Sequence, residues 1–135
     1  MPASQPQSES DLPRPTDTEL AILRVLWRRG PSTVREVMEE LNRVQETGYT
    51  TVLKMLQIMT EKGLVQREEA GRQHVYEPTR SEDSTQQQLV RHLLDRAFGG
   101  SAQKLVLQAL AAKPAAPEEL AAIRQLLNQI EKDSQ

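Results

Sequence analysis

The sequence predicts a mainly α fold with one small β-wing, and three observations carry that prediction. Apolar residues recur at three- and four-residue spacing in separate short stretches on both sides of residue 70, the period of helices that bury one side. The pattern Thr-x-x-Glu occurs at Thr16–Glu19 and again at Thr33–Glu36, and in each the two side chains can satisfy backbone N–H groups that a helix start leaves free. Between the third and fourth helical stretches, Leu64–Glu69 and Gln73–Pro78 flank Ala70-Gly71-Arg72, as two strands flank a hairpin turn. Three helices, a hairpin and three more helices make an N-terminal winged helix-turn-helix followed by a C-terminal helical region. That order is more specific than any of its parts.

Residues 1–15 are rich in Pro, Ser and Gln and poor in apolar residues, the composition of a disordered tail. The winged domain of residues 16–80 opens at the first Thr-x-x-Glu. Leu20, Ile22, Leu23, Leu26 and Trp27 form the buried side of the first helix, which Gly30-Pro31 ends, because glycine accepts a left-handed cap and proline cannot continue a helix. Val34, Val37, Met38 and Leu41 give the second helix its apolar side through about Asn42, and Arg43–Gly48 link it to the third. There Val52, Met55, Leu56 and Met59 fall on one stripe when each residue turns about 100°. Gly63 closes the third helix ahead of the hairpin.

Residues 81–135 change character. Ser81, Glu82 and Asp83 suit a helix start, and Leu89, Leu93, Leu94 and Phe98 mark an apolar side before Gly99-Gly100 breaks the helix. Ser101 begins a fifth helix with Leu105, Val106, Ala109 and Leu110 as apolar positions, stopped by Lys113-Pro114. The sixth starts near Pro117, and Leu120, Ile123, Leu127 and Ile130, widened by Leu126, alternate by three and four residues as a packing seam does. Three short helices have little core of their own, so their apolar sides need a partner, most economically a second copy. The expected dimerisation residues are Leu89, Leu93, Phe98, Leu120, Ile123, Leu127 and Ile130. The alternative is that these helices fold back on their own winged domain.

Composition narrows the function. Aromatics make up 3% of the 135 residues, so the core must be aliphatic, and the absence of cysteine excludes a disulfide framework or thiolate metal site. The sequence contains no phosphate loop, dinucleotide fingerprint or zinc pattern, and no cofactor or metal is expected. No apolar run approaches the roughly 18 to 20 residues that cross a bilayer, and the start of the chain lacks a charged-then-apolar signal pattern; the expected location is the cytoplasm. An enzyme would need a constellation of catalytic groups. His92 and Asp95 with Ser84, or His74 in the hairpin, come without an oxyanion site or nucleophile turn, so the chain is not expected to be an enzyme.

The third helix carries the functional reading. Opposite its apolar stripe lie Thr50, Lys54 and Gln57, with Thr51, Leu53 and Ile58 on the flanks and Tyr49 at the start. Short hydroxyls, an amide and a cation on a helix of this size can meet base edges and phosphates in a major groove. The candidate DNA-binding residues are Tyr49, Thr50, Thr51, Lys54, Gln57 and Ile58, with Arg67, Arg72 and Gln73 reaching phosphate or a minor groove from the wing. An ordinary amphipathic surface helix and a solvated hairpin edge would give similar patterns. Net charge is −2, and residues 12–80 hold eleven Lys or Arg against ten acids, so DNA binding would rest on local placement of cations and be steeply salt-sensitive. The rival is a winged-helix module that binds protein and never touches DNA.

Several motifs together give the chain a family resemblance. Thr18-Glu19-Leu20 leading to Leu26-Trp27, Tyr49-Thr50-Thr51-Val52, Glu61-Lys62-Gly63-Leu64-Val65, Gly71-Arg72 with Tyr76 and Pro78, and Phe98-Gly99-Gly100-Ser101 with Leu105-Val106-Leu107 resemble the penicillinase-repressor and methicillin-resistance-regulator family of bacterial winged-helix repressors. The resemblance covers nearly everything after the tail. It implies a homodimer on a near-palindromic double-stranded operator, with a role in antibiotic resistance, the third helices in successive major grooves and the C-terminal helices making the dimer. It also implies release when a membrane sensor with a metallopeptidase domain leads to cleavage in the dimerisation helices. The family is cut after Leu-Val-Leu-Asn and before Phe; here the aligned pair is Gln108-Ala109, after Leu105-Val106-Leu107. Many members carry Arg near the position of Ile58, so operator sequence does not transfer. A copper-responsive branch binds metal through C-terminal cysteines, which this chain lacks.

Overall fold

The computed structural model describes residues 13–134, and the first twelve residues of the expected tail lie outside them. Pro15 is already buried ahead of the first cap. Helix α1 (Asp17–Arg29) starts at Thr16, whose hydroxyl accepts from the Glu19 N–H at 3.2 Å while the Glu19 carboxylate accepts from the Thr16 N–H at 2.9 Å. Helix α2 (Val34–Leu41) repeats this reciprocal capping with Thr33 and Glu36. Both caps lie where the sequence pattern puts them, because each satisfies two N–H groups that the helix itself cannot.

Helix α3 (Tyr49–Lys62) ends at Gly63, whose φ of 84° is left-handed and favours glycine. Strands β1 (Val65–Ala70) and β2 (Gln73–Pro78) pair antiparallel with Val65 opposite Pro78 and Ala70 opposite Gln73, leaving Gly71-Arg72 as the turn. Helices α4 (Glu82–Arg96), α5 (Ala102–Ala112) and α6 (Pro117–Asp133) follow. The fold is therefore mainly α with a two-stranded wing.

The core is a single cluster drawn from the first three helices and the hairpin, aliphatic as expected except for Tyr76, which is fully buried in it. Ile22, Leu23, Val25, Leu26, Val34, Val37, Val52, Leu56, Met59, Leu64, Val65 and Tyr76 are all buried. Trp27, Met38, Leu41, Leu53 and Met55 pack against it while remaining partly exposed. Met55, expected on the buried stripe of α3, is only partly buried, and α1 also departs from the helical pattern. Val25 is buried where Leu20 and Trp27 were expected to be, and both of those are only half-buried. The half-buried Trp27 donates its indole N–H to the carbonyl of the buried Arg80 at 3.0 Å, which satisfies the polar edge of the ring.

Two polar groups tie the elements together. Glu19, 4% exposed, receives Lys62 Nζ at 2.8 Å and so joins the start of α1 to the end of α3. Burial pushes the Glu19 carboxyl up, but the Lys62 ammonium and the Thr16 N–H outweigh burial and hold it below the ordinary 4.5. Ser32, in the α1–α2 connection, exchanges backbone hydrogen bonds with Tyr76 of β2, at 3.0 Å from its N–H and 2.8 Å to its carbonyl. That bridge fixes the hairpin to the helix-turn-helix.

The described chain divides into two compact units, the first ending at Arg91 and the second beginning at His92, within α4. In the second unit, the turn after α4 is closed by the Gly100 N–H on the Leu94 carbonyl at 2.7 Å, with Gly99 and Gly100 both left-handed. Ser101 caps α5 through the Lys104 N–H at 3.2 Å, and Pro117 occupies the first turn of α6, where its missing N–H costs nothing. Among the described residues no helix is long and apolar enough to cross a membrane.

Candidate nucleic-acid interface

Helix α3 is two-sided because its sequence is. Val52, Leu56 and Met59 are fully buried, whereas Tyr49, Thr50, Thr51, Lys54, Gln57 and Ile58 are exposed. Tyr49 is 46% exposed and Ile58 38%, both high for apolar surface on a helix whose other side anchors a core. Leu53, expected on the flank of the free face, instead packs partly against the core. Fourteen residues rise about 21 Å at 1.5 Å each, and a B-form major groove about 12 Å wide admits such a helix.

Two clefts border this face. In one, Tyr49 and Leu53 of α3 meet Arg72, Gln73 and His74 of the wing and Arg35 of α2. In the other, Gln57 and Glu61 of α3 meet Arg67 of β1. The structure thus brings together the sequence-predicted Tyr49, Arg72 and Gln73 on one side of α3 and Gln57 with Arg67 on the other. Arg35 and His74 were not among the expected residues; periodicity marks Arg35 only as a solvated position on α2, and its closeness to the wing depends on the Ser32–Tyr76 bridge, which leaves no local sequence signal.

Charge is distributed unevenly over the winged unit. Arg28, Arg29 and Arg43 are held in ion pairs with Glu36 and Glu40 on α2, and Lys62 is held by Glu19. The Thr33 N–H and the Arg29 guanidinium bind the Glu36 carboxylate and hold its pKa below 4.5. By contrast Arg35, Lys54, Arg67 and Arg72 make no ion pair among the described residues. The cations around α3 and the wing therefore remain available to an outside anion even though the chain is slightly acidic overall.

The expected dimerisation residues divide by exposure within the single chain. Leu93, Leu127 and Ile130 are 46%, 54% and 56% exposed, and Leu89, Phe98, Leu120 and Ile123 are half-buried. Gln108 and Ala109 are exposed on α5.

Sequence comparison gives these surfaces a context. The penicillinase repressor family profile matches residues 15–129. The penicillinase repressor of Bacillus licheniformis is 26% identical over 118 residues, 87% of this chain and 92% of that protein. Transcriptional regulator BlaI of Mycobacterium tuberculosis is 32% identical over 121 residues, 89% of this chain and 87% of that protein. Among solved structures, the solution structure of the monomeric form of Bacillus licheniformis BlaI with the blaP half-operator matches 54% of this chain and 89% of that one, at 29% identity and a TM-score of 0.48. A profile that spans both the winged unit and the C-terminal helices identifies the chain as a member of the penicillinase repressor family, whose members are transcriptional regulators and not enzymes.

Proposed function

We propose that the chain is a DNA-binding transcriptional repressor that acts as a homodimer on a near-palindromic operator. One observation carries this reading: α3 buries Val52, Leu56 and Met59 while presenting Tyr49, Thr50, Thr51, Lys54, Gln57 and Ile58 to solvent. Lys54 and Gln57 supply a charge and hydrogen bonds for phosphates and base edges, and Ile58 suits contact with a thymine methyl. Arg67, Arg72 and Gln73 contact the backbone or minor groove from the wing. The apolar surfaces of α4 to α6 join two copies, which sets the half-sites about one helical turn or a multiple apart.

The family resemblance supports release by proteolysis after signalling from a membrane sensor metallopeptidase. In this reading the Gln108–Ala109 bond is hydrolysed, with one water consumed to give a new carboxylate on Gln108 and a new amine on Ala109. A peptidase takes extended chain, so α5 must first unwind, and within the single chain no residue of α5 is buried to oppose it. Severing the dimer helices would uncouple two half-site affinities that are strong only together.

The test is fluorescence anisotropy of the full chain against a duplex from upstream of its own gene and a scrambled duplex, with wild type and Lys54→Glu. Expected are preference of the wild type for the upstream DNA and at least about a hundredfold weaker binding by Lys54→Glu, with an unchanged oligomeric state. Undiminished affinity in Lys54→Glu would remove α3 as the reading element. Failure of the wild type to bind either duplex would favour a protein-binding module.

A further inference from the structure

The acid-free cleft between α2, α3 and the wing goes beyond base reading. Arg35 enters it from α2, Tyr49 from the first turn of α3, and Arg72 and His74 from the hairpin. No Asp or Glu lines it, although the chain carries 19 acidic residues. Three other clefts on the same unit each hold one, Glu61 beside Arg67, Asp83 beside Arg91 and Glu82 beside Arg24 and Arg28. The acid closest to Arg35 in sequence is turned to other work: Glu36 caps the Thr33 N–H at 2.9 Å and pairs with Arg29 at 2.6 Å. Glu69 stands opposite His74 in the strand register but does not line the cleft.

We infer that this cleft seats one phosphodiester of the DNA backbone, with Arg35 and Arg72 supplying charge and Tyr49 and His74 supplying hydrogen bonds. The inference rests on the DNA-binding reading and deepens it by assigning Arg35 and His74, outside the recognition helix, to a sequence-independent anchor. Two guanidinium groups free of internal ion pairs gain a strong partner in a phosphate oxygen, because the planar fork matches it and no carboxylate has to be displaced. Tyr76 and His74 are two residues apart on β2 and share a face. Tyr76 is buried and bridged to Ser32, which holds His74 toward α2. One phosphate would therefore fix α2, α3 and the wing to the same strand and set the depth at which α3 enters the groove.

Because a backbone contact carries no sequence information, it is tested on a duplex of random sequence as well as on the upstream duplex. The slope of log affinity against log salt is measured for the full-length wild type, Arg35→Ala, Arg35→Lys and the control Arg24→Ala, whose side chain lines a different cleft. Arg35→Ala is expected to weaken both duplexes by a similar factor, about three- to tenfold, and to lower the slope by about 0.9 for each protomer bound. Arg35→Lys is expected to keep the slope, and Arg24→Ala to change neither quantity. Equal effects of Arg24→Ala and Arg35→Ala, or an unchanged slope in Arg35→Ala, would overturn the seated phosphate and leave the DNA-binding reading intact. A loss confined to the upstream duplex would make Arg35 a base reader and overturn the inference as well. Absence of binding by the wild type to both duplexes would overturn the two readings together.

Discussion

The winged unit and the C-terminal helices differ in where their apolar residues go. Between Ile22 and Tyr76 a dozen aliphatic or aromatic side chains are buried in one cluster, whereas from Gln86 to Ser134 no described residue is buried. Both regions obey the same helical periodicity, so pattern alone does not separate a core from an interface. The hairpin and three helices enclose a common volume and exclude water from it. Helices α5 and α6 keep Val106, Leu107, Leu126, Leu127 and Ile130 between 47% and 61% exposed. An apolar seam left open in one chain is what a second copy would cover.

The largest effect is expected at Leu127. Leu127→Asp places a charge in the proposed seam of both protomers and is expected to weaken the dimer by about 4 kcal/mol or more, roughly a thousandfold. Sedimentation should then find monomers while the fluorescence of Trp27, the one tryptophan, stays native; a persistent dimer would take α6 out of the interface. Within the core, Leu56→Ala is expected to cost the winged unit about 3 kcal/mol through the cavity it leaves. Denaturant unfolding followed at Trp27 measures that loss, and a loss below about 1 kcal/mol would mean that the cluster is not close-packed around α3.

A smaller effect is expected at the pair joining α1 to α3. Lys62→Met leaves the buried Glu19 carboxylate without its cation and should cost about 2 kcal/mol; an unchanged unfolding midpoint would mean that Thr16 alone satisfies Glu19. The same carboxylate links stability to pH. The folded-state pKa values of Glu19 and Glu36 lie below 4.5, so their contribution is complete above that ordinary value and is lost as pH falls through the lower folded values. The Trp27-monitored melting temperature should therefore fall on acidification below about pH 4.5, less steeply in Lys62→Met. Equal slopes in the two proteins would separate Glu19 from the acid response.

The elements were legible because their ends are local. Thr16, Thr33, Gly30 and Gly63 act on backbone groups within four residues, so sequence spacing locates them without knowledge of the tertiary fold. The division of α3 into a buried stripe and a free face was legible for the same reason. Contacts between distant segments were not. Glu19 reads as an exposed capping acid until Lys62, 43 residues away, arrives beside it. Leu53 reads as a flank of the free face until the core reaches it, and Arg35 reads as a solvated helix position until β2 is bridged to Ser32.

That bridge has a mechanical consequence. Ser32 and Tyr76 are joined by two main-chain hydrogen bonds and Ser32 is wholly buried, so the hairpin is clamped near its base like the fixed jaw of a caliper, with α3 as the other jaw. A gauge of set width responds to the dimensions of the object between its jaws. On the proposed reading of α3 as the element in the major groove, operators whose adjacent minor groove is too wide or too narrow would be penalised even when every base facing α3 is correct.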